Sequence, residues 1–119
     1  MSWFSSKSSQ LLWNNINSIE ELNDAIFASN EQTVLLFKHS TRCSISSMAK
    51  SRLEDKWRED LLITPYYVDL ISFRNVSNEI TDRFNIIHQS PQVLVISNER
   101  CLGSFSHNEI NLDTILKLL

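Results

Sequence analysis

The feature that most constrains this chain is the run Val34-Leu35-Leu36-Phe37, with a polar turn and a cysteine close behind it. Consecutive apolar residues without alternation read as a strand buried on both faces, so Thr33 to Lys38 is expected to be a central strand. After the turn, Ile45, Ala49, Leu53 and Trp57 recur every four residues, with Met48 and Leu61 beside them. That spacing predicts a helix with one buried stripe. Cys43 then sits at or just before the first helical turn. Unpaired backbone N–H groups and the positive end of the helix dipole favour a thiolate there, and Arg42 adds a positive charge next door. The thiolate is the nucleophilic form of cysteine, so chemistry is sought at this point. A single cysteine after a strand equally suits a small residue that fills a turn.

The rest of the pattern supplies partners for that strand. Residues 1–9 are serine-rich and polar apart from Trp3 and Phe4, and read as a mobile arm. The domain is expected over residues 10–119, with Gln10 to Ile16 as its first strand. Ser18 and Glu21 form a capping box, and Leu22, Ala25, Ile26 and Phe27 give the following helix an apolar face that should end near Ser29 and Asn30. Pro65 stops any continuation of the second helix, and Tyr66 to Leu70 is the third strand. Val76, Ile80 and Phe84 mark a third helix. Pro91 to Ile96 is a fourth strand opening at a proline, where the missing N–H does least harm. A turn at residues 97–100 leads to a fifth strand, Cys101 to Ser106, whose weak alternation suggests an edge. Asn108 can cap a last helix. The order is β-α-β-α-β-α-β-β-α: a mixed five-stranded sheet with four helices. The strands separated by helices should be parallel, and the last two an antiparallel hairpin.

Composition narrows the function classes. At 119 residues the chain is the size of one domain. Lys and Arg number 11 against 14 Asp and Glu, a net charge of −3 without a basic patch, which disfavours nucleic acid as a partner. No apolar run approaches the roughly 20 residues of a membrane span, and the N-terminus lacks a signal-peptide core, so the cytoplasm is the expected compartment. Two cysteines do not make a disulfide scaffold and are expected as free thiols. Gly103 is the one glycine, so the chain has no glycine-rich phosphate loop. Three scattered histidines and two cysteines lack zinc-ligand spacing, and no metal or cofactor is expected.

The element order, with a cysteine after the second strand and a proline opening the fourth, resembles the thioredoxin fold, which implies a cis proline at Ser90-Pro91 lying against the active cysteine. Closer motifs narrow the family. Residues 37–46, Phe-Lys-His-Ser-Thr-Arg-Cys-Ser-Ile-Ser, resemble the F-K-H-S-T-x-C-P-I-S stretch of the YtxJ-like bacillithiol-system proteins, the monothiol bacilliredoxins of BrxC type. Arg74 to Ile80 resembles their R-x-x-S-N-x-I, His88 to Gln92 their H-x-S-P-Q, and Ser106-His107 with Ile110 their S-H-x-x-I. The matches run from about residue 18 to the C-terminus. Ser44 stands where the family often has proline, so the turn is less constrained. The arm with Trp3, and Trp13, are not explained by the resemblance.

The resemblance implies a monothiol thiol-disulfide oxidoreductase acting through Cys43, with Ser46 and Arg42 assisting. His39, Thr41, Ser44, Ser90 and Pro91 form the expected substrate surface, the backbone of Ser90 being available to pair with an extended substrate. Dithiol enzymes use C-x-x-C, where the second cysteine attacks the mixed disulfide formed by the first. Here the second position is Ser46, which cannot resolve a disulfide but whose hydroxyl is expected to donate a hydrogen bond to the thiolate. Such a chain forms a mixed disulfide and waits for another thiol. The implied partners are bacillithiolated proteins and the free low-molecular-weight thiol. Malate carboxylates of bacillithiol would meet the helix N-terminus, Arg42 or Lys38, unless those two side chains are plain surface groups. Cys101 follows the turn at the far end of the fourth strand, on the order of 20 Å away, beyond the 7 Å or so a disulfide allows. It is expected to be a buried apolar residue. His39 is placed to tune Cys43 or to pack, His88 to hold the proline loop, and His107 to cap the last helix or lie beside it. The alternative function is a binding or scaffold module that keeps the fold without turnover. An iron–sulfur carrier of the C-G-F-S type lacks its motif, and a C-x5-R phosphatase or arsenate reductase is excluded because Ala49 occupies the arginine position.

Overall fold

A computed structural model describes residues 11–119; the arm expected over residues 1–9 and the start of the first strand at Gln10 lie outside them. The elements run β1 (Asn14–Asn15), α1 (Ile19–Ala28), β2 (Thr33–His39), α2 (Ser44–Lys56), β3 (Ile63–Asp69), α3 (Arg74–Phe84), β4 (Gln92–Ser97), β5 (Arg100–Ser106) and α4 (Leu112–Leu116), with a 3-10 turn at His107–Glu109 before α4. The sheet order is β1-β3-β2-β4-β5. β1 and β2 pair in parallel with β3, and β4 runs antiparallel to both β2 and β5. β2 is therefore central and β5 an edge, as the apolar run and the weak alternation predict.

Because β2 is covered on both sides, its odd and even residues serve two cores. Leu35 and Phe37 pack with Ala49, Leu53, Trp57, Val93, Val95, Ile110 and Ile115 on the α2 and α4 side. Val34 and Leu36 pack with Leu22, Ile26, Val68, Val76, Ile80 and Leu94 on the α1 and α3 side. No helix among the described residues is long and apolar enough to cross a membrane.

Several boundaries differ from the sequence expectation for local reasons. The first strand shrinks to Asn14–Asn15, with Leu11 buried and Leu12 exposed. The capping box at α1 is split: Ser18 Oγ accepts the Glu21 N–H at 3.0 Å, but Glu21 reaches past the cap to the Asn17 N–H at 2.7 Å. Phe27 is exposed rather than on the apolar face. Pro65 does not precede the third strand but lies inside it, paired with Leu35. Its carbonyl faces the β1 side, where it accepts from Asn14 Nδ2 at 3.0 Å. Its missing N–H faces that same side, so the ladder to β2 loses nothing. Asn111, not Asn108, caps α4 by accepting the Thr114 N–H at 2.9 Å. His107 is exposed in the 3-10 turn with φ 55°, and its carbonyl accepts from Arg52 at 2.8 Å.

Candidate active site

The parallel strands β2 and β3 each feed a helix, so the N-termini of α2 and α3 open at one end of the sheet. β4 runs the other way, and its start meets that same end: Lys38 of β2 pairs with Gln92 of β4. One residue further along the two strands lie His39 and Pro91. The Ser90-Pro91 bond is cis, as expected from its place in the pattern.

Cys43 is the N-cap residue of α2, half-buried, with extended backbone (φ −112°, ψ 122°) and no hydrogen bond from its side chain to the helix. Its N–H donates to Ser40 O at 3.2 Å and its carbonyl accepts from Ser47 N–H at 3.0 Å, which fixes the turn on both sides of the sulfur. A helix leaves its first N–H groups without intrahelical partners, here those of Ser44 to Ser46, beside the thiol. Thr41, Arg42 and Ser44 are exposed around it, Ser90 is half-buried and Pro91 buried. Both cysteines are free thiols. Ile45 and Met48, placed by the four-residue spacing in the buried stripe of α2, are instead 52% and 61% exposed. The helix is rotated so that Ser46, Ala49 and Leu53 face inward.

That rotation explains Ser46. Its Oγ is fully buried, accepts the Ser40 N–H at 3.0 Å and lies 2.7 Å from His39 Nδ1. The sequence suggests a bond from this hydroxyl to the Cys43 sulfur; in the structure its two partners are His39 and Ser40. Ser46 thereby staples the turn that carries Cys43 to the first turn of α2. His39 itself is buried, stacked on Phe37 (centroids 5.4 Å apart) with Tyr67 edge-on at 5.7 Å. Burial, and then the Lys50 charge, hold its imidazole below the usual range, with Asp69 and Glu54 opposing. Trp13, unexplained at the sequence level, packs on Phe37 at 5.4 Å and Tyr67 at 6.0 Å and donates to Glu54 Oε2 at 2.8 Å, the same oxygen that Lys50 holds at 2.6 Å. It braces α2 against the sheet below the cysteine.

Lys38 departs most from expectation. It is neither a surface group nor an anion contact beside Cys43: it is fully buried on the opposite face of β2. Its Nζ donates to Thr81 Oγ1 at 3.2 Å and to His88 Nδ1 at 2.9 Å, and burial pushes its pKa down to about 8. Gln92, beside it on β4 and also buried, donates to Ile87 O at 3.1 Å and accepts from Gln89 N–H at 3.4 Å. The loop of residues 85–91 before the cis proline is thus tied at three points. Sequence reasoning gave Lys38 a different role and Gln92 none; the signal was a lysine inside an otherwise apolar central strand.

Cys101 is half-buried in β5 against the α1-side core and paired with Ile96 at the far end of β4 from Cys43. Burial raises its thiol pKa, opposed by backbone hydrogen bonds, and its Sγ donates to Gly103 O at 3.4 Å. Among the described residues no three His, Cys, Asp or Glu side chains come together as metal ligands would.

Comparison with known proteins places this arrangement. The profile of the family described as Monothiol bacilliredoxin BrxC matches residues 14–115. Among solved structures, a protein described as a candidate oxidoreductase with a thioredoxin fold superposes with a TM-score of 0.79 at 23% identity, covering 98% of this chain and 96% of its own. Thioredoxin from Trypanosoma brucei brucei gives 0.68 at 13% identity, covering 90% of this chain and 87% of its own. Thioredoxin F from spinach chloroplast gives 0.67 at 14%, covering 87% of each. At these identities the likeness establishes the thioredoxin fold.

Proposed function

The chain belongs to the monothiol bacilliredoxin BrxC family, a thiol redox family, and on that premise we propose that Cys43 removes bacillithiol, or a similar low-molecular-weight thiol, from mixed disulfides on proteins. The Cys43 thiolate attacks the small thiol's sulfur. The S–S bond of the mixed disulfide breaks, the protein thiolate leaves and takes a proton from water, and Cys43 holds the small thiol in a new disulfide. A second molecule of the free thiol then attacks that disulfide, leaving as the oxidised dimer and restoring Cys43. The small thiol is a co-substrate, and no other cofactor enters.

The observation that carries this reading is the pairing of an accessible, unbonded sulfur at the N-terminus of α2 with a serine at the resolving position. Ser46 has no sulfur to attack with and is committed to His39 and Ser40. In this reading Arg42, Thr41 and Ser44 border the leaving and entering groups, and the backbone at Ser90 and Pro91 receives the substrate chain. The exposed Ile45 and Met48 leave apolar surface on α2, the helix that starts at the cysteine, which suits a protein substrate.

The test is single-turnover release of bacillithiol from a modified protein, with free thiol supplied afterwards. Cys43→Ser is expected to abolish release, and Cys101→Ser to retain it. A folded Cys101→Ser protein without release, or a Cys43–Cys101 disulfide in the oxidised wild type, would overturn the monothiol scheme.

A further inference from the structure

Lys38 is a buried charged group that the thiol chemistry does not use. Among the described residues no carboxylate neutralises it; its hydrogen-bond partners are the Thr81 hydroxyl and the His88 ring. An ammonium has three donors and no lone pair. The 2.9 Å contact therefore requires Nδ1 of His88 to accept, which fixes the neutral ring with its proton on Nε2. His88 is exposed in the loop of residues 85–91, and that loop delivers Ser90 and Pro91 to the cysteine's end of the sheet.

We propose that Lys38 is a positioning residue for the reaction: from the central strand it holds the 85–91 loop in its receiving position through neutral His88, and it lets the loop go when His88 gains a proton. A protonated ring has no acceptor at Nδ1 and sets two cations against each other at hydrogen-bond distance. Burial, then the charges that face the imidazole, Lys38 from β2 and Arg74 from the start of α3, both cations, hold its pKa below the usual histidine range. The latch is therefore closed at neutral pH and opens in acid. Gln92 ties the loop to its own strand by neutral amide bonds that do not respond to pH, so the proton-sensitive hold is the one from Lys38.

This inference rests on the mixed-disulfide reading for its consequence, but the latch can be read separately. The first measurement is NMR of the full chain, following backbone order at residues 86–90 by heteronuclear relaxation as the pH falls. Wild type should lose order in step with His88 protonation. His88→Asn, whose amide oxygen stands where Nδ1 does, still accepts from Lys38 and does not titrate, should keep the loop ordered throughout. Lys38→Met should show a loosened loop at all pH values. The second measurement is the rate with a bacillithiolated peptide divided by the rate of alkylation by iodoacetamide. Both need the Cys43 thiolate, but the alkylating agent does not need the loop, so ionisation of the sulfur cancels. In wild type the ratio should fall below the His88 midpoint by about tenfold per pH unit, the slope of one proton, and in His88→Asn it should stay level. A loop whose order ignores His88 protonation, or a His88→Asn ratio that falls as wild type does, would overturn the latch. A pH-dependent loop in a protein that does not react with the bacillithiolated peptide would sustain the latch and sink the substrate reading instead.

Discussion

Replacing Lys38 with methionine should make stability depend on pH in a way the structure lets one calculate. The ammonium titrates at about 8 in the folded chain against 10.5 for a free lysine. Deprotonation is easier in the folded state, so between those values the unfolded chain holds more protons and stability rises with pH. Below pH 8 both states carry the proton and the full burden of burying it is present. The shift corresponds to about 3.4 kcal/mol at 1.36 kcal/mol per unit. Methionine fills a similar volume and removes that burden, but gives up the bonds to Thr81 and His88, worth about 1 kcal/mol each. At neutral pH the variant should therefore be more stable than wild type by about 1 kcal/mol. The advantage should shrink as the wild type sheds its proton, vanish at about pH 9, and reverse above it. Urea denaturation of both proteins across this range measures the difference directly, and titrating groups other than His88, which Lys38 itself holds down, cancel. Stability curves that stay parallel from about pH 7 to 10 would show that Lys38 carries no buried ammonium, and the argument from its burial would fail.

Two further outcomes follow from the bracing of α2. Ser46→Ala leaves the Ser40 N–H and His39 Nδ1 without their buried partner, so unfolding free energy in urea should drop by about 2 kcal/mol, and a loss under half of that would contradict the staple. Trp13→Phe keeps the ring on Phe37 and Tyr67 but removes the bond to Glu54, so the melting curve should report a loss of about 1 kcal/mol with the Lys50–Glu54 pair intact.

Much of this fold was legible because its strongest signals are local. Val34 to Phe37 has no polar face to expose, which makes β2 central, and the short turn before Cys101 permits only a hairpin. The cysteine's place at a helix start followed from the same strand-to-helix boundary. What failed were the contacts set by tertiary rotation. The four-residue spacing of Ile45, Ala49, Leu53 and Trp57 fits a stripe containing Ile45, but the helix turns Ser46 inward because its hydroxyl has two polar partners waiting at the end of β2. Pro65 looked like a boundary because a sequence does not say which way a carbonyl points, and it is tolerated because its own carbonyl meets the Asn14 side chain on the β1 side while the ladder to β2 is left whole. Lys38 looked like a surface cation because its acceptor, His88, lies 50 residues away.

Lys38 and Ser46 are connected by the pleat of β2. Successive side chains of a strand point to opposite faces, and only a strand covered on both faces can use that alternation for two buried purposes. His39 points to the α2 side, where through Ser46 it fixes the turn that aims Cys43. Lys38 points to the α3 side, where through His88 it fixes the loop that faces the cysteine. Adjacent residues of one strand therefore set both walls of the site. That arrangement needs a polar residue on each face at the last two positions of an otherwise apolar strand, which is the pattern Phe37-Lys38-His39 presents.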